Sequence, residues 1–264
     1  MDIESLHKHM NEHGTNMASL TTYLTENGID LTSVKNYIKE NGLDTALASP
    51  EKLLEYATDQ IYAYRRLMAY YNCAMMEIET KFKVINESFS CQYERNPIES
   101  IKTRLKSMSS IKEKLERRHK PFTAASVEEN LFDVAGVRVI CSFVDDVYKV
   151  ADALVRQDDI LLIERKDYIE NPKENGYRSL HLIVQVPIFL ANEKRMMNVE
   201  IQLRTIAMDF WASLEHQLRY KKDNLITDTM AQDLKNCATI STDLDNMMNA
   251  LCNRIYEDGH GKGL

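Results

Sequence analysis

Residues 134–143 have the sequence VAGVRVICSF, a nearly unbroken run of small and β-branched apolar residues that predicts a buried strand. On either side of it the chain alternates between strand and helix patterns. Further strands are predicted at 160–169, 178–189 and 197–203, and helices at 145–157, 205–222 and 227–256. This alternation indicates an α/β or α+β fold, in which helices flank a mixed β-sheet of about five strands.

The part of the chain before this region predicts long helices. One begins at Ser49-Pro50-Glu51, and its apolar residues from Ala57 to Ile85 recur in steps of three and four. We interpret this apolar seam, at 57–85, as core or helix–helix packing. The sequence Asn96-Pro97-Ile98-Glu99 predicts a second start, for a helix that ends near Arg118.

The two ends of the 264-residue chain differ from its middle. Residues 23–30 (YLTENGID) and 37–44 (YIKENGLD) repeat at a spacing of 14, each with an Asn-Gly that is typical of a helix C-terminus. We therefore expect a helical extension at 1–49, one domain at 50–258 and a disordered tail at 259–264.

Charge is unevenly distributed along the chain. Forty acidic and 33 basic residues give a net charge of −7, which argues against a protein that coats DNA or RNA. Between residues 102 and 120, however, eight Lys or Arg accompany two acidic residues, so this segment carries +6 and the rest of the chain −13. Cations concentrated in this way suit small anionic ligands.

The sequence also predicts compartment and redox state. It contains no apolar leader and no run approaching 18 apolar residues, so we expect no membrane partner. The five cysteines are widely spaced and form no CxxC pair, which predicts buried free thiols in the cytoplasm.

A basic face and a turn-rich stretch have the chemistry of a phosphate or nucleotide site. Lys106, Ser110 and Lys114 are spaced to share one face of the predicted helix, either as a solvated face or as a surface that binds phosphates. The stretch NPKENGYRSLH, at 171–181, places Lys173 and Tyr177 on a loop. Tyr177 is either a packing residue or a platform on which a base stacks.

Two carboxylates lie beside apolar strands. Asp133 precedes one strand and Glu200 lies inside another, where a carboxylate is costly to bury unless it is paired or binds a metal. An ion pair with Arg138 or Arg204 is one explanation, and divalent-metal binding for phosphoryl chemistry is the other. The chain has no GxxxxGK[ST] loop and no GxGxxG, which excludes P-loop and Rossmann enzymes.

Five motifs occur together between residues 95 and 222, namely RLKSMSSIKEKLERR, FDVAGVRVIC, NPKENGYRSLH, VEIQLRT and AMDFWASLEHQLRYKK. In this order they resemble the (p)ppGpp synthetase domain of the RelA/SpoT family. Without the family's His-Asp hydrolase domain, the chain resembles a small alarmone synthetase of the RelP/RelQ type, closer to the RelP-like branch. The resemblance implies a nucleotidyltransferase-like fold in a bacterial cytoplasmic homotetramer. Candidate oligomer surfaces are the apolar seam and the apolar stripe at 230–255.

The activity that the resemblance implies is that of a GTP diphosphokinase. Such an enzyme transfers the β,γ-pyrophosphate of ATP to the ribose 3′-OH of GDP or GTP and releases AMP; we expect no hydrolase activity. Asp133 and Glu200 would be catalytic and hold Mg²⁺, and Glu200 would alternatively act as the general base. ATP would be bound by Arg104, Lys106, Ser110, Lys114 and Arg138. GDP or GTP would be bound by Lys173, Tyr177, His181, Gln202 and Asp209, although many relatives have Asn at the last position.

Two other functions stay open. Toxin-like relatives pyrophosphorylate the 3′ ends of tRNA, and the acidic surplus of this chain argues against such an RNA substrate. A non-catalytic nucleotide-binding sensor is the other alternative, but a sensor has no need of both carboxylates.

Overall fold

The structure, a computed structural model, describes residues 50–93, 95–219 and 227–260, together with residues 8, 9, 12, 13 and 22. The 14-residue repeat and residues 261–264 of the predicted tail lie outside the described residues. Within the described part of the chain, no helix is long and apolar enough to cross a membrane.

After a long first helix, strands and further helices are interspersed along the chain. The helices are α1 (Pro50–Tyr93), α2 (Met108–Arg117), α3 (Ala124–Asn130), α4 (Val144–Val155), α5 (Ile206–Arg219) and α6 (Asp228–His260). The strands are β1 (Ile98–Leu105), β2 (Ala135–Cys141), β3 (Leu161–Asp167), β4 (Leu180–Phe189) and β5 (Lys194–Thr205). The described residues form two compact units: one contains those up to Asn72 together with Leu105–Val134, and the other contains those of Cys73–Arg104 together with those from Ala135 onward.

The first unit contains the beginning of α1 together with α2 and α3. Ser107 caps α2 because its hydroxyl accepts a hydrogen bond from the Ser110 N–H, and Thr123 caps α3 in the same way through the Ser126 N–H. Its core is apolar and includes the buried residues Ile61, Leu67, Tyr71, Ile111, Leu115 and Val127.

The second unit is built on a five-stranded sheet of order β1-β2-β5-β4-β3. Strand β5 pairs in parallel with β2 and antiparallel with β4, and β4 pairs antiparallel with β3. The predicted mixed sheet of about five strands is thus confirmed. Successive side chains of β5 point to opposite faces, so Ile201 and Leu203 are buried in the core while their polar neighbours line the other face.

The predicted helix over 97–118 is confirmed only in its second half, and its first half is wrong. Residues 98–105 form strand β1, and the helix begins only at Met108, behind its Ser107 cap. The Asn-Pro-Ile-Glu pattern is a local signal for a helix, and the pairing of β1 beside β2 in the sheet overrides it. The short helix α3 has no counterpart in the sequence prediction.

Other predictions at the sequence level also change. Helix α6 continues to His260, so residues 259 and 260 of the predicted disordered tail are helical. All five cysteines are free, as predicted, but Cys91 and Cys237 are exposed rather than buried.

The two candidate oligomer surfaces differ in exposure. In the apolar seam of α1, Ile61, Tyr71, Ile78 and Phe82 are at most 2% exposed, which confirms core packing and removes this seam as a surface for a second chain. The stripe on α6 is exposed, and Leu244, for example, is 56% accessible.

Candidate active site

The first cluster of predicted site residues lies in the first unit, around Asp133. The ammonium groups of Lys106 and Lys114 donate to the same oxygen, Oδ2, at 2.5 and 2.6 Å. Lys106 lies in the connection between β1 and α2, where its backbone N–H donates to the Val134 carbonyl at 2.9 Å. The two lysines therefore meet at a carboxylate, and not on one helix face as the spacing predicted.

The electrostatics of Asp133 favour a charged carboxylate. Burial raises its pKa, but the hydrogen bonds and charges of Lys106 and Lys114 outweigh burial, so the pKa lies below its ordinary value of 3.8. Its second oxygen, Oδ1, is buried and has no hydrogen-bond partner among the described residues.

This orphaned oxygen fits a cation ligand. Mg²⁺ prefers carboxylate oxygens and is often bound by one or two carboxylates together with substrate phosphates. Within the described ranges, no three His, Cys, Asp or Glu side chains gather into a metal cluster. A metal at Asp133 would thus take further ligands from a bound phosphate.

Ser110 lies at the N-terminus of α2, in the same unit. Ser107 donates to its hydroxyl at 2.9 Å and also contacts the hydroxyl of Ser109 at 3.0 Å. Hydroxyl groups and backbone N–H groups at a helix N-terminus suit an anion.

The second cluster lies in the second unit, on the polar face of the sheet. Glu200, Gln202 and Arg204 alternate along β5 and therefore project from one face. The register places Arg138 of β2 and His181 of β4 on either side of Gln202. Three neighbouring strands thus bring together side chains that are far apart in the sequence.

A chain of contacts connects Arg204 to Glu200 through Tyr177 and His181. Arg204 Nη2 donates to the Tyr177 hydroxyl at 2.6 Å, and that hydroxyl lies 2.8 Å from His181 Nε2. Which of the two groups donates in this second contact depends on the tautomer of the imidazole ring. Nδ1 lies 3.6 Å from Glu200 Oε1.

Gln202 orients the other side of the same carboxylate. Its amide nitrogen donates to Glu200 Oε2 at 3.1 Å, and its amide oxygen accepts from Arg204 Nη2 at 2.9 Å. The Glu200 side chain is 23% exposed, so it is held in place and still open to a ligand. An oriented carboxylate of this kind can accept a proton from a hydroxyl group.

Asp209, in the first turn of α5, pairs with three cations. Its Oδ1 accepts from Arg138 and Arg204, and its Oδ2 from Lys102, each at 3.3 Å. The Asp209 side chain is 13% exposed and that of Arg204 is 5% exposed, so this pair is largely removed from water.

The pKa of Arg138 is affected by burial, by two neighbouring arginines and by the carboxylate of Asp209. Burial lowers its pKa first, and the charge of Arg204 and that of Arg104 lower it further, while Asp209 raises it. Arg104 is exposed on β1. A guanidinium group can stack on a planar ligand even while its edge is ion-paired, as that of Arg138 is with Asp209.

The loop before β4 places Tyr177 and Lys173 together. Gly176 has φ of 90°, and a Cβ there would lie 2.5 Å from the Ala238 Cβ of α6. Glycine is therefore required where this loop approaches α6. The Lys173 ammonium lies 4.6 Å from the ring centroid of Tyr168 and 4.8 Å from that of Tyr177.

Three residues of the second cluster were missed as site residues by the sequence analysis. Arg204 was considered only as an ion-pair partner, although its spacing of four from Glu200 on a strand predicts the same face. Lys102 reaches Asp209 across 107 positions, and Tyr168 ends up beside Tyr177 through strand pairing. Neither contact has a local signal in the sequence.

Comparison with known proteins gives these clusters a context. A family model for the region found in RelA/SpoT proteins matches residues 103–225. The GTP pyrophosphokinase YwaC of Bacillus subtilis is 44% identical over 178 residues, which cover 67% of this chain and 85% of that protein. This chain belongs to the RelA/SpoT family.

Solved structures place it among the small alarmone synthetases of that family. Small alarmone synthetase 2 of B. subtilis is 41% identical, with a TM-score of 0.66 over 72% of this chain and 98% of that chain. Small alarmone synthetase 1, solved with its product pppGpp, is 34% identical, with a TM-score of 0.66 over 73% of this chain and 97% of that chain. The same protein has also been solved with AMPCPP; it is 32% identical, with a TM-score of 0.63 over 74% of this chain and 98% of that chain.

Proposed function

We propose that this alarmone synthetase transfers the β,γ-pyrophosphate of ATP to the ribose 3′-oxygen of GDP or GTP. The chain is a GTP pyrophosphokinase, a transferase, as its relatives YwaC and YjbM are named. The products would be ppGpp or pppGpp, and AMP. The observation that carries the proposal is the oriented carboxylate of Glu200, held between Gln202 and His181.

ATP is the proposed pyrophosphate donor. Arg104 and Arg138 are proposed to stack on either side of the adenine, since guanidinium groups stack well on planar rings. The triphosphate is assigned to the cations and the hydroxyl around α2, namely Lys106, Ser110 and Lys114. The proximity of both lysines to one carboxylate supports this role, because phosphate oxygens can replace the carboxylate as their partner.

Mg²⁺ is the proposed cofactor. The buried, unpartnered Oδ1 of Asp133 supports this residue as a ligand. Glu200 is predicted either as a second ligand or as the general base, and the contacts with Gln202 and His181 that orient its carboxylate support the base. When bound, the ion neutralises charge on the phosphates of ATP.

GDP or GTP is the proposed acceptor. Tyr177 would stack on guanine, Lys173 and His181 would bind the 5′-phosphates, and Gln202 and Asp209 would line the pocket. The aromatic and cationic surroundings of Tyr177 support a site for an anionic nucleotide with a planar base.

In the transfer step, Glu200 accepts the proton of the acceptor's 3′-hydroxyl group. The 3′-oxygen forms a bond to the β-phosphorus of ATP, and the bond between that phosphorus and the oxygen bridging to the α-phosphorus breaks. AMP leaves with the electron pair of the broken bond. The protein contributes mainly by positioning the two nucleotides and by neutralising charge.

A homotetramer is the proposed assembly, and it would use the exposed apolar stripe of α6. Leu244, Met247 and Ile255 are 56%, 64% and 67% exposed, respectively, which is unusual for residues of this size. Sedimentation of the wild-type protein should give the tetramer, and Leu244→Glu should shift it to smaller species. A monomeric wild-type protein contradicts the assembly.

Incubation of the purified protein with ATP, Mg²⁺ and one acceptor tests the proposed function. GDP, GTP and uncharged tRNA are supplied in separate reactions, and AMP and new nucleotides are quantified. We expect AMP equal to ppGpp or pppGpp with the guanine nucleotides and no pyrophosphorylated tRNA. We expect added ppGpp to persist, since no hydrolase activity is proposed. ATP use confined to tRNA would favour the toxin-like function, and nucleotide binding without AMP would favour a sensor.

Because its substrates are ATP and GTP, we place the enzyme in the cytoplasm.

A further inference from the structure

The ring of Tyr177 is already covered by a cation of its own chain. Lys173 Nζ lies between Tyr168 and Tyr177, 4.6 and 4.8 Å from the two ring centroids. The rings meet edge to face at 6.1 Å, so they form two walls around the ammonium group. A cation over a tyrosine ring is attracted to the negative face of the π system.

The backbone of the loop keeps Lys173 in this place. The Lys173 N–H donates to the Tyr177 carbonyl at 3.1 Å, and the Gly176 N–H donates to the Lys173 carbonyl at 2.8 Å. The lysine and the tyrosine are thus joined by a tight turn. The lysine side chain itself is exposed, so its ammonium group can leave the rings for water or a ligand without breaking the backbone hydrogen bonds of the turn.

The remaining surroundings of Tyr177 are not free to move. Its ring packs against Trp211 and Ala238 in a small apolar cluster. Arg204, whose guanidinium carbon lies 5.1 Å from the ring centroid, is 4% exposed and is held by Asp209. Of the two cations that the described residues place at this ring, Lys173 is the exposed one, so it can leave without disturbing the core.

We propose that Lys173 is a displaceable cap on Tyr177 that makes the acceptor site select guanine nucleotides over guanosine. This inference rests on the proposed stacking of guanine on Tyr177. An incoming base displaces the ammonium group from the ring. The 5′-diphosphate of GDP then offers the ammonium group a stronger, charge-assisted partner, whereas guanosine offers none.

Tyr168 is the second wall of this cap and acts as a positioning residue. It contacts the His181 ring edge to face at 5.2 Å as well as the lysine. It therefore holds the ammonium group above Tyr177 without itself touching the base. Tyr168→Leu should loosen the cap, and Tyr168→Phe should retain it because the ring is preserved.

The test compares the binding of guanosine and of GDP, each by calorimetric titration of the full chain. Lys173→Met removes the charge and keeps the length of the side chain. We expect guanosine to bind about two- to fivefold more tightly to this variant, the range of an exposed cation–π contact. GDP should bind roughly tenfold more weakly, because a charge-assisted phosphate contact is lost. The two affinities thus change in opposite directions, which a general loss of structure cannot produce.

Lys194→Met is the matched control. Lys194 lies 5.4 Å from the ring centroid of the exposed Phe189, so it is a cation over an aromatic ring outside this cluster. It should leave both affinities unchanged. Tyr168→Leu should raise guanosine affinity in the same direction as Lys173→Met, and Tyr168→Phe should not.

The outcomes separate the cap from the proposed function. A wild-type protein that makes no ppGpp and binds no GDP refutes the proposed function. If the wild-type protein is active but Lys173→Met binds guanosine no more tightly, or if neither protein binds guanosine, the cap is refuted and the function stands.

Discussion

Replacing Asp209 with asparagine should destabilise the fold and weaken acceptor binding together. The substitution removes the negative charge that faces Arg138 and Arg204, each 3.3 Å from the same oxygen. A hydrogen bond to a charged group contributes about 1.5–3 kcal/mol, and contacts of this length belong at the lower end. The asparagine oxygen still accepts one hydrogen bond. We therefore expect a loss of about 2 kcal/mol in the free energy of unfolding.

The solvent exposure of each cation determines how much its ion pair with Asp209 contributes to the stability of the fold. The third partner, Lys102, is 60% exposed, and a surface ion pair of this kind contributes about 0–1 kcal/mol. Most of the loss thus comes from Arg204, whose charge stays buried without its counter-charge. Arg204 also holds Tyr177 and Gln202, so the KM for GDP should rise more than kcat falls.

Urea unfolding at fixed protein concentration measures the stability, and steady-state kinetics with GDP measure the KM. Asp152→Asn is the control, since Asp152 pairs with Arg165 at 3.4 Å while its side chain is 56% exposed. Asp152→Asn should lower the free energy of unfolding by less than about 0.5 kcal/mol. If Asp209→Asn is as stable as this control and binds GDP normally, the three-cation arrangement has no structural role.

Three further predictions concern acid stability, the loop and the thiols. The pKa of Asp133 is lowered in the folded protein, so its stabilising contribution is present above the ordinary value of 3.8 and is lost as the pH falls through the folded pKa. In wild type, the urea concentration at the unfolding midpoint should therefore fall as the pH is lowered below about 4, and in Asp133→Asn it should fall less. The same pH dependence in both proteins would contradict the pairing of Asp133 with the two lysines. Gly176→Ala should lower the free energy of unfolding by roughly 1–3 kcal/mol, because φ is 90° and the new Cβ meets Ala238. It should also raise the KM for GDP. If the variant is as stable as wild type and its KM is unchanged, the loop is not anchored by α6. Iodoacetamide should label Cys91 in the native protein but Cys141 only after unfolding, because Cys141 is buried and burial raises the pKa of its thiol. Mass spectrometry distinguishes the two labelled cysteines. Labelling of Cys141 in the native protein would show that the sheet opens.

The elements that the sequence predicted are those with a strong pattern of their own. Strands β2 and β4 are apolar runs, and the helices α4 to α6 follow their amphipathic patterns to within a few residues. Strand β1, with the sequence IESIKTRL, is interrupted by charged residues and is not an apolar run, so its conformation depends on its neighbour β2. Local helix signals at Asn96 and Pro97 therefore gave the wrong element there.

The same distinction holds for the site. Asp133, Lys106 and Lys114 were predicted to act together, and they do meet, although Lys106 precedes the helix on which it was placed. The contact of Asp209 with Arg138, 71 positions earlier in the chain, depends on the placement of α5 beside the sheet, which no local spacing encodes. The cap of Lys173 on Tyr177 likewise depends on the position of Tyr168, which comes from pairing between β3 and β4.

The most direct test of the account compares wild type and Glu200→Gln in a single turnover with ATP, Mg²⁺ and GDP. The glutamine keeps the shape of the side chain and cannot accept the 3′-hydroxyl proton. We expect the rate of ppGpp and AMP formation to fall by roughly 10²–10⁴-fold, the contribution of a general base, while the Kd for GDP stays within about threefold of wild type. A variant that forms ppGpp at nearly the wild-type rate would contradict the role of Glu200 and with it the proposed active site.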